Sequence, residues 1–295
     1  MGFIVYFLNT FPSPATLDPL FRLFTLISWN INSVKFENSP LEEILKREEN
    51  QIVISPFVKK VSVETVRGFT KIVLPLSCRN WSELKELFGD KISVFKTYPL
   101  EIPPKEEPSG GKFFVNEREL VVLGNPPWGK ENFYTSRGET LEEVVGKLLK
   151  EKGLTLATAE SCTGGMVASV LVNVPGSSEY FIGSVVAYSN EVKEKLLGVR
   201  RETLEKWGAV SAQTAKEMAE GVKRLLGTDI GISTTGIAGP SGGTKNKPVG
   251  LTYFGIAFKD KTVTFKRVFP FDRNQNRISA TYYLLFELYK SLKEL

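Results

Sequence analysis

From residue 140 onward the sequence keeps changing its hydrophobic period, and that alternation limits what the chain can fold into. "TLEEVVGKLLKEKG" carries Leu141, Val144, Val145, Leu148 and Leu149 at helical spacing. Thr140 and Glu143 form a capping box, and Gly153 ends the run. Strand-length apolar segments then alternate with helical ones. Strands are predicted over Leu154–Ala159, Phe181–Tyr188 and Asp229–Thr234, and helices over Thr163–Val172 and Glu191–Leu197. Ser211 caps a longer helix with Ala215, Met218, Ala219, Val222 and Leu225 turned inward. Leu251–Lys259 and Thr262–Phe269 flank a tight turn and read as a β-hairpin, before a last helix over Gln275–Leu292. Alternating strands and helices that end in a hairpin specify a layered α/β domain with a mixed sheet. There are no internal repeats.

The part before it is less regular. Strands are expected at Gly2–Leu8, Gln51–Ile54 and Lys71–Leu76, with a few strand-like residues at Arg118–Leu123. Helices are expected at Leu17–Ile27, at Pro40–Arg47 (Leu41, Ile44 and Leu45 on one face) and at Trp81–Phe88. "YPLEIPPKEEPSGGKF" and "GNPPWGKENFYTSRG" have connector composition. The expected organisation is a smaller divergent α/β domain over 1–97, a connector over 98–136 and the layered domain over 137–295.

Composition matters chiefly for what it removes. The chain has 295 residues and no histidine, so Ser–His–Asp and Cys–His catalysis and His-ligated zinc are excluded within it. A nucleophile here needs Lys, a carboxylate, Tyr or a metal-bound water as partner. Cys78 and Cys162 lie far apart without metal-type spacing. The net charge of +5 comes without a dense Lys/Arg cluster, so nucleic acid is not the expected partner. The apolar N-terminus "MGFIVYFLNTFPSP" lacks a positive flank and reads as a buried first strand. No apolar run approaches a membrane-spanning length, and a cytoplasmic location is expected.

Four stretches carry candidate chemistry. In "TLATAESCTGG" a strand runs into Ser161, Thr163, Gly164 and Gly165. Bare N–H groups at the start of a helix suit an anion or oxyanion, but Ser161 or Thr163 acting as a plain helix cap fits the spacing equally well. In "VVAYSNEVK" a strand delivers Tyr188, Ser189 and Asn190, with Lys193 on the next helical turn. A lone lysine there is usually a solvated charge, yet without histidine a desolvated lysine is the base a serine would need. "STTGIAGPSGGTKNKPVG" follows a strand with five glycines, Gly236 and Gly239 among them, after Thr235. Strand-end loops of α/β sheets commonly bind ligands. Arg273 and Arg277 in "DRNQNR" lie one helical turn apart and could hold a phosphate, or be surface charge behind Asp272 as cap.

Together and in this order, "TLATAESCTGG", "PGSSEYFIGSVVAYSNEVKEKLLGV", "GAVSAQTAKEMA" and "TTGIAGPSGG…KPVG" resemble the C-terminal domain of the CinA family, the nicotinamide-nucleotide amidases, over about residues 137–295. The resemblance implies hydrolysis of nicotinamide mononucleotide to nicotinic acid mononucleotide and ammonia, a step of pyridine-nucleotide salvage. It implies a Ser–Lys mechanism without metal or other cofactor: Ser161 as nucleophile, Lys193 as base, Tyr188 holding or relaying the proton. Thr163 is then left as the helix cap. Thr163, Gly164, Gly165, Ser189, Asn190, Thr235, Gly236, Gly239 and Arg273 are the candidate substrate-binding residues. The expected partners are the small-molecule nucleotide and a second copy of the chain, with no membrane.

Full-length members of the family resemble molybdopterin-binding proteins in their N-terminal domain, which is linked to ADP-ribose pyrophosphatase activity. "KIVLPLSCRNWSELKELF" is faintly similar to the end of that domain, but the Gly-Gly-x-Gly-Pro-Thr loop is missing and "IVISPFVKKVS" stands in its place. A phosphate-cradling loop needs its glycines, so no pyrophosphatase activity is expected, and a structural or dimerising role is. The rival reading is a non-enzymatic nucleotide-binding protein associated with competence, which would need the glycine loops but neither Ser161 nor Lys193.

Overall fold

The computed structural model describes residues 2–8, 30–37, 40–55, 62–75, 94–98, 112–115, 120–123 and 133–295. The chain divides into two compact units, Met1–Glu139 and Thr140–Leu295.

In the first unit, β1 (Gly2–Leu8), β2 (Asn30–Glu37), α1 (Leu41–Leu45), β3 (Gln51–Ser55), β4 (Ser62–Val66) and β5 (Phe69–Pro75) are followed by β6 (Val94–Thr97), β7 (Lys112–Val115) and β8 (Leu120–Leu123). One sheet has the order β2-β1-β3-β5-β4, parallel except for the β4–β5 pair. Val5, Ile52, Val53 and Ile72 on its strands are fully buried, and α1 adds Ile44; Leu41 and Leu45 are only partly buried. Strands β2 and β4 escape a periodicity reading because "NINSVKFE" and "SVETV" are largely polar. β6, β8 and β7 form a small antiparallel sheet, so two strands lie within the stretch read as a connector. The helices expected at 17–27 and 81–88 lie outside the described residues.

The second unit is a three-layer α/β/α sandwich. Its elements are α2 (Leu141–Lys152), β9 (Leu156–Glu160), α3 (Met166–Val172), β10 (Phe181–Val186), α4 (Asn190–Leu197), α5 (Arg201–Trp207), α6 (Ala212–Leu226), β11 (Ile230–Gly236), β12 (Leu251–Ala257), β13 (Thr262–Val268) and α7 (Arg273–Glu294). The capping box at Thr140 and Glu143 forms, and Gly153 closes α2 in the left-handed region at φ 63°. The sheet order is β10-β9-β11-β12-β13, parallel from β10 to β11 and antiparallel beyond.

Alternation along β9 sends Ala157 and Ala159 to one face, against Met218 and Val222 of α6. Thr158 and Glu160 face α3 on the other side. Ala215, Met218, Ala219 and Val222 are buried, as their spacing predicts. Leu225 is half exposed, because it falls off that stripe. Helix α6 can lie on the sheet because a Cβ at Gly231 or Gly255 would come within 2.2 Å of Ala219 O or 2.6 Å of Ala215 O. On the opposite face, Phe254 and Phe265 pack against Tyr283 of α7.

This topology positions the site. Neighbouring strands β9 and β10 send their following helices, α3 and α4, to opposite faces of the sheet. The carboxyl end of such a pair is a switch point, where the diverging chains leave a crevice.

Candidate active site

Ser161 is the first residue beyond β9. It stays tied to the sheet, since its N–H donates to Thr234 O at 3.0 Å. Lys193 belongs to the first turn of α4, whose N-cap is Ser189. Because that turn packs back on the sheet, Lys193 is only 1% exposed. Its Nζ donates to Ala187 O at 2.7 Å and Tyr188 O at 3.0 Å, and lies 3.3 Å from Ser161 Oγ. A neutral amine has two hydrogens and one lone pair. The two carbonyls take the hydrogens, which leaves the lone pair for the Ser161 hydroxyl. Burial lowers the Lys193 pKa below the usual lysine value of 10.5.

Cys162 is the neighbouring alternative nucleophile. Burial pushes its thiol up to about 11, against hydrogen bonds with Thr252 and with its own N–H that lower it. A thiol that stays protonated at neutral pH is a poor nucleophile, and Ser161 is the better candidate of the two.

Ser161, Cys162, Tyr188, Lys193, Ala209, Val210, Thr235, Gly236, Ala238 and Arg273 line a cleft of about 190 Å³ at the strand ends. The sequence candidates Ser161, Lys193, Tyr188, Thr235, Gly236 and Arg273 are thus brought together. Arg273 also donates to Gly239 O at 2.6 Å, and buried Asn276 donates to Ala238 O, so α7 holds the glycine loop in place. Thr235 Oγ1 is spent on Ala209 O. Two larger grooves, of about 550 and 320 Å³, run along α6 and contain none of these residues. Among the described residues, no three His, Cys, Asp or Glu side chains gather to hold a metal ion, and no helix is long and apolar enough to cross a membrane.

Several expectations change. Thr163 does not cap α3. Its hydroxyl has one hydrogen, given to Glu160 Oε2 at 2.7 Å, so it accepts from Thr234 Oγ1, also at 2.7 Å. The cap is Glu160, which is buried and accepts from the N–H groups of Gly165, Val167 and Ala168. An anion at this helix start is therefore already present within the protein. The Gly164 N–H is also committed, to Ser161 O. Ser189 accepts from Val192 N as a cap, and both it and Asn190 are exposed and outside the cleft lining. Tyr188 reaches Lys193 through its backbone carbonyl; its side chain is 66% exposed and hydrogen-bonds neither Lys193 nor Ser161. Arg277 grips the carbonyls of Cys162 and Thr163 instead of offering itself to a phosphate. Glu160 went unread as a functional residue because a carboxylate closing an apolar strand carries no spacing signal.

Fold and site define a layered α/β domain with a serine–lysine pair at the switch point of its sheet. Comparison with known proteins extends this. The family model for the CinA C-terminal domain matches residues 138–292, more than half of the chain, and the chain belongs to the CinA family. A protein of Clostridioides difficile named as competence-damage inducible is 58% identical over 182 residues, 61% of this chain and 44% of that one. A CinA-like protein of Thermotoga maritima is 53% identical over 163 residues, 55% of this chain and 40% of its own length. The chain thus spans less than half the length of these two relatives. Among solved structures, the competence damage-inducible protein A of Klebsiella pneumoniae is 37% identical with a TM-score of 0.51, covering 52% of this chain and 95% of that one.

Proposed function

We propose that the second unit is a nicotinamide-nucleotide amidase that hydrolyses nicotinamide mononucleotide to nicotinic acid mononucleotide and ammonia. The observation that carries this reading is the Lys193–Ser161 contact: a buried amine that donates to two backbone carbonyls and lies 3.3 Å from a hydroxyl in a cleft.

Neutral Lys193 takes the Ser161 proton as Oγ attacks the carboxamide carbon. The tetrahedral intermediate collapses when the Lys193 ammonium gives that proton to the departing nitrogen. Ammonia leaves, and the pyridine carboxyl group stays as an ester on Ser161. Water, deprotonated by Lys193, attacks the ester; the acid product departs and Ser161 recovers its proton. The exposed ring of Tyr188 offers a face to the pyridine, and Arg273 at the cleft wall supplies a cation for the phosphate. Membership of a family with competence-related names leaves the chemistry open, whereas a non-catalytic binder would not need a desolvated lysine on a serine.

The test is ammonia release from nicotinamide mononucleotide, with and without a chelator, for wild type, Ser161→Ala and Lys193→Ala. Release by wild type alone, indifferent to the chelator, is expected. Full activity in Ser161→Ala would end the proposal.

A further inference from the structure

The Ser161 carbonyl accepts from Gly164 N–H at 3.2 Å, closing a tight turn. A trans peptide unit sets the next N–H antiparallel to its carbonyl. The Cys162 N–H therefore leaves the turn on the side opposite Gly164. Cys162 lines the cleft beside Ser161 and Lys193, and among the described residues its N–H enters no backbone–backbone hydrogen bond, lying against the residue's own thiol.

Glu160 ties the inner side of the turn through the Thr163 hydroxyl and the Gly165 N–H, and Gly164 and Gly165 sit at φ 60° and 91°, the left-handed region that favours glycine. The Cys162 and Thr163 carbonyls are held from elsewhere in the chain. Arg277 of α7 donates from Nε to Cys162 O at 3.1 Å and from Nη2 to Thr163 O at 2.9 Å. One planar fork thus holds two consecutive carbonyls, a grip a lysine cannot reproduce. A Cβ at Gly164 would lie 3.3 Å from Arg277 Nη2, so the guanidinium lies close against the turn. Arg277 is not among the residues lining the cleft.

We infer that Arg277 is a positioning residue: by holding the carbonyls of Cys162 and Thr163 it aims the Cys162 N–H at the oxygen that becomes negative when Ser161 attacks. It touches no substrate and acts through the backbone. The inference rests on the serine–lysine hydrolase reading, but not on the identity of the substrate.

The experiment compares wild type, Arg277→Ala and Arg277→Lys in the full chain by three readouts: ammonia release from nicotinamide mononucleotide, acylation of Ser161 by p-nitrophenyl acetate, and thermal unfolding. Loss of one aligned oxyanion donor corresponds to about 10²-fold in kcat. Arg277→Ala is expected to show that loss with KM nearly unchanged and the pH midpoint of the rate unmoved, and to acylate more slowly in parallel. Methylguanidinium should restore part of both rates, and Arg277→Lys should fall between. Unchanged kcat, a loss confined to KM, or a loss that only follows the folded fraction would overturn the inference. A wild type that acylates but releases no ammonia, with acylation still slowed in Arg277→Ala, would keep the inference and remove the proposed substrate.

Discussion

Lys193 and Lys71 are each about 1% exposed, one in each unit, and the difference between them shows what makes a buried lysine a base. Both amines donate to two backbone carbonyls; for Lys71 these are Arg47 O and Glu49 O, each at 2.5 Å. In both, burial is the leading cause of a lowered pKa. Lys71 has the Glu49 charge working against that shift, and the Phe69 ring 5.7 Å away. It holds together the segment between α1 and β3. Lys193 instead has a hydroxyl as its third neighbour and a cleft beyond it. Desolvation makes a lysine proton easier to lose; catalysis needs something beside it to give one up.

The largest test of this contrast is removal of the nucleophile. Ser161→Ala should lower the ammonia-release kcat by about 10³-fold or more, as loss of a nucleophile does elsewhere. Lys193→Ala should cost about 10²–10⁴-fold, the usual range for a general base. Lys193→Arg should be no better, because a guanidinium does not deprotonate.

The pH dependence separates the two lysines. Protonated Lys193 has no lone pair, so activity should rise with pH through a midpoint below 10.5 and fall away as pH drops through it. Stability follows the same sign. Between the lowered folded value and the unfolded value near 10.5 the unfolded state binds more protons, so stability rises with pH there and is lost as pH falls through the folded value. Lys71→Met should remove part of that stability slope and leave the activity profile in place; Lys193→Met should change both. Denaturant unfolding across pH, run beside rate profiles, checks this.

Smaller effects should follow in order. Glu160→Gln turns an amide NH₂ toward N–H groups that now meet a carboxylate, and should destabilise the second unit by about 3 kcal/mol. Lys71→Met removes one donor from each of the Arg47 and Glu49 carbonyls and should cost about 1–3 kcal/mol with kcat unchanged. Tyr188→Phe should alter kcat least, since the hydroxyl bonds neither Ser161 nor Lys193.

What the sequence makes legible is local. Thr140, Glu143 and Gly153 delimit α2 because capping acts within one turn. The missing histidines point Ser161 toward a lysine, and Ser161 at one strand end with Lys193 on the helical turn after the neighbouring strand brings them together. The helix at Arg201–Trp207 escapes notice because Arg200 makes no side-chain cap and the helix is only seven residues long. Glu160, and the role of Arg277, which reads from the sequence as a phosphate holder or surface charge, escape for another reason. The carboxylate folds forward onto residues five to eight positions ahead, and the guanidinium reaches back more than a hundred residues. Spacing carries no trace of such contacts, which exist only once the sheet is assembled.

The central claim is that folding makes Lys193 a neutral base for Ser161. The direct measurement is a pH titration of the Lys193 Cε resonance in protein carrying ¹³C-labelled lysine, assigned through Lys193→Arg. A midpoint below 10.5 that coincides with the rise in ammonia release is expected. A midpoint at or above 10.5, with activity already complete below it, would contradict the account.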